Sequence, residues 1–245
     1  MWWFTTRKSG VSAVNLQELL GLGSYNTAWA WLQKLRRCTV RKDREKLSHR
    51  VEVDEFVIGG KKPGKRGRGA DGKTIVYVAV ERYLKQIPET SEIYWKMGRA
   101  RLQVALDYSS YSLQTFINQN VKIGSIVATD EWSSYQPILN TRYNHEVINP
   151  SDQKGPESGL YGAHLIVSLV KRLIRSTFQG RLEPKYLQNY LDEYVFRFNR
   201  RKSKSIGKKF MRIVQQVVKS CKISNKEIQF DLNPISEYFS LGLSG

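Results

Sequence analysis

The sequence predicts a mixed α/β fold, a sheet covered by helices, with a small helix-turn-helix in front of it. Two observations carry that expectation. The hydrophobic period changes from helical to alternating near residue 50. Beyond that point strands come first and long helices last, the order of a sheet that buries one or both faces under helices.

The elements follow in chain order. Residues 5–37 read as two helices around a turn: Val11, Leu16, Leu19 and Leu20 fall at roughly helical spacing, and Gly-Leu-Gly-Ser at 21–24 interrupts them. Ser24 can cap a second helix that carries Ala28, Leu32 and Leu35 on one face and ends in basic residues, where the helix dipole favours cations. In a helix-turn-helix that second helix enters the major groove. Tyr25, Asn26 and Thr27 would lead it, with Lys34, Arg36 and Arg37 nearer phosphate. An ordinary helical hairpin fits the same pattern.

From residue 50, Val51, Val53 and Val57 alternate with Glu52, Asp54 and Phe56, which gives a strand with two distinct faces. A glycine-rich basic loop spans 59–73. Residues 74–83 and 98–107 supply two more strands, 112–121 a short helix, and 125–130 a buried strand followed by another helix. A loop rich in Pro, Gly and Ser covers 149–162, and helices follow at about 163–177, 184–200 and 204–219. The ribonuclease-H-like fold has this order, and several other α/β folds fit it with one element slipped. The expected division is a helix-turn-helix region at 1–48, a catalytic domain at 49–220 and a C-terminal extension at 221–245.

Composition narrows the partners. The 245 residues carry 40 Lys and Arg against 22 acids, a net charge of +18, and 40% are hydrophobic, too many for a disordered chain. Such an excess is self-repelling unless a polyanion neutralises it, and phosphates release counterions when Lys and Arg replace them. The basic residues crowd into 1–50, 59–73 and 171–226 around a nearly neutral middle. Double-stranded DNA is therefore the leading partner and an anionic membrane surface the weaker one. No apolar run approaches the ~20 residues that span a bilayer, and the N-terminus lacks the apolar core of a signal peptide. Cys38 and Cys221 stand alone, which excludes a disulfide framework and a paired-cysteine zinc knuckle. A reduced cytoplasmic location is expected.

Three positions draw attention for chemistry. Asp54 sits mid-strand with Glu52 on the same face, and a half-buried strand carboxylate needs a partner or a cation. Asp130 ends an apolar strand, where a helix N-cap and a catalytic carboxylate are equally open readings. His164, Ser168, Lys171 and Arg175 share one face of a helix opposite Ile166, Leu169, Val170 and Leu173. The helical rise separates His164 from Lys171 by about 10 Å, so the histidine could reach a metal while the lysine grips a neighbouring phosphate. The series Tyr186, Tyr190, Tyr194 and Phe198 at i+4 spacing reads as core packing before base stacking.

Four blocks, VEVDEFVIGGKK, ATDEWSSY, AHLIVSLVKRLIRSTFQG and YLDEYVFRFNRR, resemble in order and spacing those of DDE-type insertion-sequence transposases of the ISXO2-like branch. The segment from Gly10 to Arg37 also resembles the helix-turn-helix ahead of the catalytic domain there. The resemblance implies a ribonuclease-H-like core using Mg²⁺ or Mn²⁺, with Asp54, Asp130 and His164 as ligands and Lys171 as a catalytic DNA contact. It implies cleavage and strand transfer at terminal inverted repeats, by a homodimer or higher assembly, in the nucleoid. Further DNA contacts are expected at Lys61, Lys62, Arg66 and Arg68 in the basic loop. Others are expected at Arg172 and Arg175, and at Arg200 and Arg201 beside Arg197, Lys202 and Lys204.

Two departures accompany the resemblance. Members commonly carry a cysteine-rich zinc ribbon before the helix-turn-helix, and this chain begins after that point, which implies truncation or a missing end-binding element. Histidine also stands third where glutamate or asparagine is expected. Mg²⁺ prefers oxygen donors, whereas Mn²⁺ takes imidazole more readily. Glu157 and Glu193 are possible substitute carboxylates. The alternative function is a catalytically inactive, truncated transposase-derived DNA-binding protein.

Overall fold

In the computed structural model, residues 1–7, 10–41, 43–59, 73–130, 142–149, 159–178, 182–220 and 222–229 are described. Lys61, Lys62, Arg66 and Arg68, the helix expected from residue 131, most of the 149–162 loop and Glu157 lie outside them. The chain forms two compact units, Asp43–Arg181 and Met1–Lys42 with Leu182–Gly245.

In the first unit β1 (Arg50–Ile58) is the middle strand of a five-stranded sheet ordered β3-β2-β1-β4-β5. It pairs antiparallel with β2 (Thr74–Gln86), which pairs antiparallel with β3 (Ile93–Ala105). On its other side β4 (Ile126–Thr129) is parallel to β1, and β5 (Asn144–Val147) is parallel to β4. An antiparallel meander with two parallel strands added beside its first strand is the ribonuclease-H-like sheet. β2 and β3 outrun their expected lengths, because pairing resumes beyond an irregularity between Val80 and Arg82 and continues to Gln86 and Ile93.

Both faces of β1 are covered. On one, α4 (Ser110–Asn120) buries Leu113, Phe116 and Ile117 against Val51, Val53, Tyr77, Ala79 and Val127. Each of those helical side chains contributes about 1.5–3 kcal/mol by leaving water. Ser109 starts the helix by accepting a hydrogen bond from the Ser112 amide. On the other face lies α5 (Tyr161–Phe178), with Gly162, Ala163, Ile166, Val170 and Ile174 turned inward. Period 2 assigns Glu52, Asp54 and Phe56 to that second face.

The second unit is helical. It holds α1 (Trp2–Thr6), α2 (Ala13–Leu20), α3 (Tyr25–Arg37), a 3₁₀ turn at Pro184–Tyr186, α6 (Leu187–Asn199), α7 (Ile206–Lys219) and α8 (Asn225–Gln229). Val11, Leu16, Ala28 and Leu32 share one core with Phe196 and Ile213. Residues 182–220 thus pack with the N-terminal helices, where the sequence reading grouped them with 49–181. The apolar faces of α2 and α3 are too small to close a core between themselves, and α6 and α7 supply the rest. Gly21 ends α2 in the left-handed conformation at φ 59°. Ser24 makes no side-chain cap bond; the cap of this pair is Ser12, which accepts from the Asn15 amide. Leu19 and Leu20, which share the helical spacing of Val11 and Leu16, are exposed. Tyr186 and Phe198 are buried, Tyr186 edge-on to Trp29 at 4.9 Å, in keeping with core packing.

Candidate active site

The sheet register brings the two aspartates to one place. Glu52 on β1 is the partner of Ala128 on β4 in a parallel ladder. Two residues further along each chain, on the same face by the period-2 rule, come Asp54 and Asp130. Neighbouring strands lie about 4.8 Å apart. Asp130 is one residue past the end of β4, with its backbone held by the Thr129 hydroxyl, which donates to the Asp130 carbonyl at 2.9 Å. The same hydroxyl oxygen is 2.8 Å from Nε2 of His145.

Helix α5 lays a third and a fourth group beside them. Nε2 of His164 is 3.5 Å from Oδ2 of Asp54, with the imidazole 68% exposed and the carboxylate 16% exposed. Lys171 directs its ammonium over the ring of Phe56, 5.7 Å from the centroid. Phe56 follows Asp54 by two residues on the same face of β1. The helix therefore runs along β1, with the exposed stripe His164, Ser168, Arg175 and the half-buried Lys171 on the solvent side. Arg172 is exposed beside it.

Burial pushes the Asp54 carboxyl above its ordinary pKa, and the Asp130 charge adds to the rise. The Glu55 amide, which donates to Asp54 Oδ1 at 2.8 Å, and the side chains of His164 and Lys171 pull the other way without cancelling it. A carboxylate destabilised by desolvation and by a second carboxylate is a group in want of positive charge. Among the described residues no three His, Cys, Asp or Glu side chains stand close enough to cage an ion as they are. Asp54, Asp130 and His164 instead make an open set, in which His164 Nε2 is 3.5 Å from Asp54 Oδ2 and the Asp130 charge acts on Asp54. The donor chemistry, two carboxylates and one imidazole in a half-exposed position, fits a divalent cation that keeps room for substrate oxygens.

Glu52 takes no part in that open set. Its carboxylate is fully buried and accepts from Arg50 at 2.9 Å, from Arg82 at 3.2 Å and from the Ala163 amide at 3.0 Å. Arg50 also binds Glu146 of β5 through two nitrogens, at 2.8 and 3.2 Å. Along the chain Glu52 is marked only by its place two residues before Asp54, and its partners leave no local sign.

The expected DNA contacts divide in the helical unit. Tyr25, Asn26 and Thr27 are exposed at the start of α3, and Lys34 and Arg37 are partly exposed. Arg36 is not available to phosphate: it is 1% exposed and its Nε donates to Glu193 at 2.7 Å. Its position on the apolar side of α3, next to Leu32, turns it inward, and a buried guanidinium needs a buried carboxylate. The same pairing removes Glu193 as a substitute metal ligand, since Arg36 and Arg197 both bind it. Arg200 stacks on Phe196 at 3.9 Å, its pKa lowered to about 10 by burial and by the cations Arg212 and Arg41. Arg201 is exposed and stacks on Phe198 at 3.8 Å.

The family model of the ISXO2-like transposase domain matches residues 46–199, from just before β1 to the end of α6. The chain belongs to that family. The N-terminal helices lie outside the matched stretch. No curated protein matches the sequence. Among solved structures, the chain is similar to that of a pre-cleavage Mos1 transpososome, at 16% identity over 88% of this chain and 76% of that one. The TM-score is 0.29, too low for the likeness to add to the assignment. Among the described residues no helix is long and apolar enough to cross a membrane.

Proposed function

We propose that this ISXO2-like transposase-domain protein binds the ends of an insertion sequence and catalyses metal-dependent DNA cleavage and strand transfer at Asp54, Asp130, His164 and Lys171. The observation that carries the reading is the convergence on one sheet face of a half-buried, charge-strained Asp54, the strand-adjacent Asp130 and an imidazole 3.5 Å from Asp54. Asp54 and Asp130 hold Mg²⁺ or Mn²⁺, and His164 is the third ligand, which favours Mn²⁺. When bound, such an ion polarises the scissile phosphate and lowers the pKa of the attacking hydroxyl.

The chain's own side chains supply the rest. Lys171, held partly dry against Phe56, offers a fixed positive charge to a phosphoryl oxygen. The exposed Arg172 and Arg175 extend that charge along α5 and grip the phosphates beyond the reacting one. Tyr25, Asn26 and Thr27 read bases from the start of α3, and Lys34, Arg37, Arg200 and Arg201 neutralise phosphate. Lys61, Lys62, Arg66 and Arg68 of the glycine-rich loop add further backbone contacts. The protein acts as a homodimer or higher assembly on paired ends and target DNA, in the nucleoid.

The test is cleavage of duplex oligonucleotides carrying the element ends, with Mg²⁺ and with Mn²⁺. Asp54→Asn and Asp130→Asn should abolish cutting and leave salt-sensitive DNA binding in place. Asn variants that cut at the wild-type rate would refute the assignment. Wild-type protein that binds DNA yet cuts with neither ion would make this a non-catalytic DNA-binding protein.

A further inference from the structure

Glu52 and Asp54 occupy the same face of β1, two residues apart, and meet consecutive residues of α5. Glu52 Oε2 accepts from the Ala163 amide at 3.0 Å, and Asp54 Oδ2 lies 3.5 Å from His164 Nε2. The Glu52 side chain is 1% exposed, so its hydrogen bond to the first turn of α5 forms without competing water. Its other oxygen is fixed by two guanidiniums, Arg50 at 2.9 Å and Arg82 at 3.2 Å. Those guanidiniums are themselves immobilised: both lie over the Trp95 ring, at 5.3 and 5.7 Å, and Arg82 also lies over Tyr161, the first residue of α5, at 5.5 Å.

The approach is close enough to exclude a side chain. A Cβ on Gly162 would stand 2.9 Å from Glu52 Oε2, 3.2 Å from Arg82 Cδ and 3.3 Å from Val80 Cγ1. A Cβ at this position would force Glu52 Oε2, already held by its hydrogen bonds, or the first turn of α5 to shift. From that anchor the rigid helix carries His164 by one residue and Lys171 by eight, a reach of about 12 Å at 1.5 Å per residue. Four residues of β1, from Glu52 to Phe56, cover about 13 Å. The two elements therefore stay in step from the Glu52 anchor to the Lys171–Phe56 contact.

We propose that Glu52 is a positioning residue: with Gly162 it sets the register of α5 on β1, and through that register the placement of His164 and Lys171 against Asp54. This rests on the reading of Asp54 and His164 as metal ligands. Glu52 touches neither substrate nor metal; its three acceptor contacts are taken by Arg50, Arg82 and Ala163. A carboxylate that merely balanced Arg82 would need no hydrogen bond to α5 and no glycine opposite it.

The experiment compares Glu52→Gln and Gly162→Ala with wild type in the full chain. It uses Mn²⁺ titration calorimetry on the metal-free protein, thermal melting, and cleavage as a function of Mn²⁺ concentration. Gly162→Ala keeps Glu52 and both arginines, so it decides the matter even if Glu52→Gln fails to fold. The expected result for Gly162→Ala is Mn²⁺ affinity weakened about tenfold or more, the range seen for groups that orient metal ligands, with DNA affinity unchanged. The Mn²⁺ concentration for half-maximal cleavage should rise by the same factor. A Gly162→Ala protein that binds Mn²⁺ as wild type does, whether or not its melting temperature falls, would overturn the proposal. Failure of the underlying site reading would look different: Asp54→Asn itself would then retain Mn²⁺ binding and cleavage.

Discussion

Asp54→Asn should make the apo protein more stable while abolishing cleavage. The carboxylate is 16% exposed, and burial followed by the Asp130 charge holds its pKa above the ordinary value. A carboxyl whose folded pKa is raised is destabilising wherever it is ionised, that is, at any pH above that folded value. The amide has no charge to desolvate, and its oxygen can still accept from the Glu55 amide, as Oδ1 does at 2.8 Å. Two unit charges about 5 Å apart, the spacing of neighbouring strands, would repel by roughly 3 kcal/mol at an effective dielectric of 20. Lys171 and the nearby His164 offset part of this, which leaves about 1–2 kcal/mol to be regained. For a chain of this size that is a rise of about 2–8 °C in Tm at pH 7–8 without divalent ions. The assay is differential scanning fluorimetry with EDTA, then with Mn²⁺. Added Mn²⁺ should stabilise wild type by mass action and leave Asp54→Asn unmoved. A variant that melts below wild type in EDTA, or one that gains as much from Mn²⁺, would refute the argument that this carboxylate is held in place for a cation.

The other predictions concern separate links. Lys171→Ala should slow cleavage by about 10–100-fold and lower the salt slope of DNA binding by about one, read by fluorescence anisotropy across a salt series. Glu193→Ala should destabilise the helical unit by about 3–5 kcal/mol, because Arg36, 1% exposed, would lose the buried carboxylate that its Nε binds; circular dichroism melting reads this. Acid should act through the two buried carboxyls among those held below their usual pKa, Glu193 and Glu81. Burial opposes the shift in both, yet Arg197 and Arg36 hold Glu193 below its usual 4.5, and Arg99 with the Ser48 amide does the same for Glu81. Their contribution is complete above the unfolded value and is lost as pH falls through the lowered folded values, so stability should drop steadily below about pH 4.5 in a pH-resolved melt.

Much of the fold was legible because it is written in local periodicity. The alternation over 50–58, the apolar run before Asp130 and the amphipathic stripe from His164 to Arg175 each reported a strand or a helix without knowledge of its neighbours. The errors fell where the answer depended on a distant partner. Leu19 and Leu20 fit a helical spacing but face water, while Ala13 and Leu16 are the residues of α2 that enter the core. Arg36 carries the charge of a phosphate contact and is a core residue, because Glu193, 157 positions away, folds against it. Residues 182–220 are helical as expected, yet they complete the core of the N-terminal helices.

The sequence alone determined the candidate groups, Asp54, Asp130, His164 and Lys171, and the basic character that suits DNA, since residue identity and period need only near neighbours. Tertiary structure decided which of them meet: a parallel register sets the aspartates side by side, and a glycine-tight helix docking brings the imidazole to 3.5 Å. It also decided that Glu52 serves the helix and not a metal. Hydrogen-bond registry between remote segments has no local signature, because it is fixed only when a whole sheet and its covering helix exclude water together.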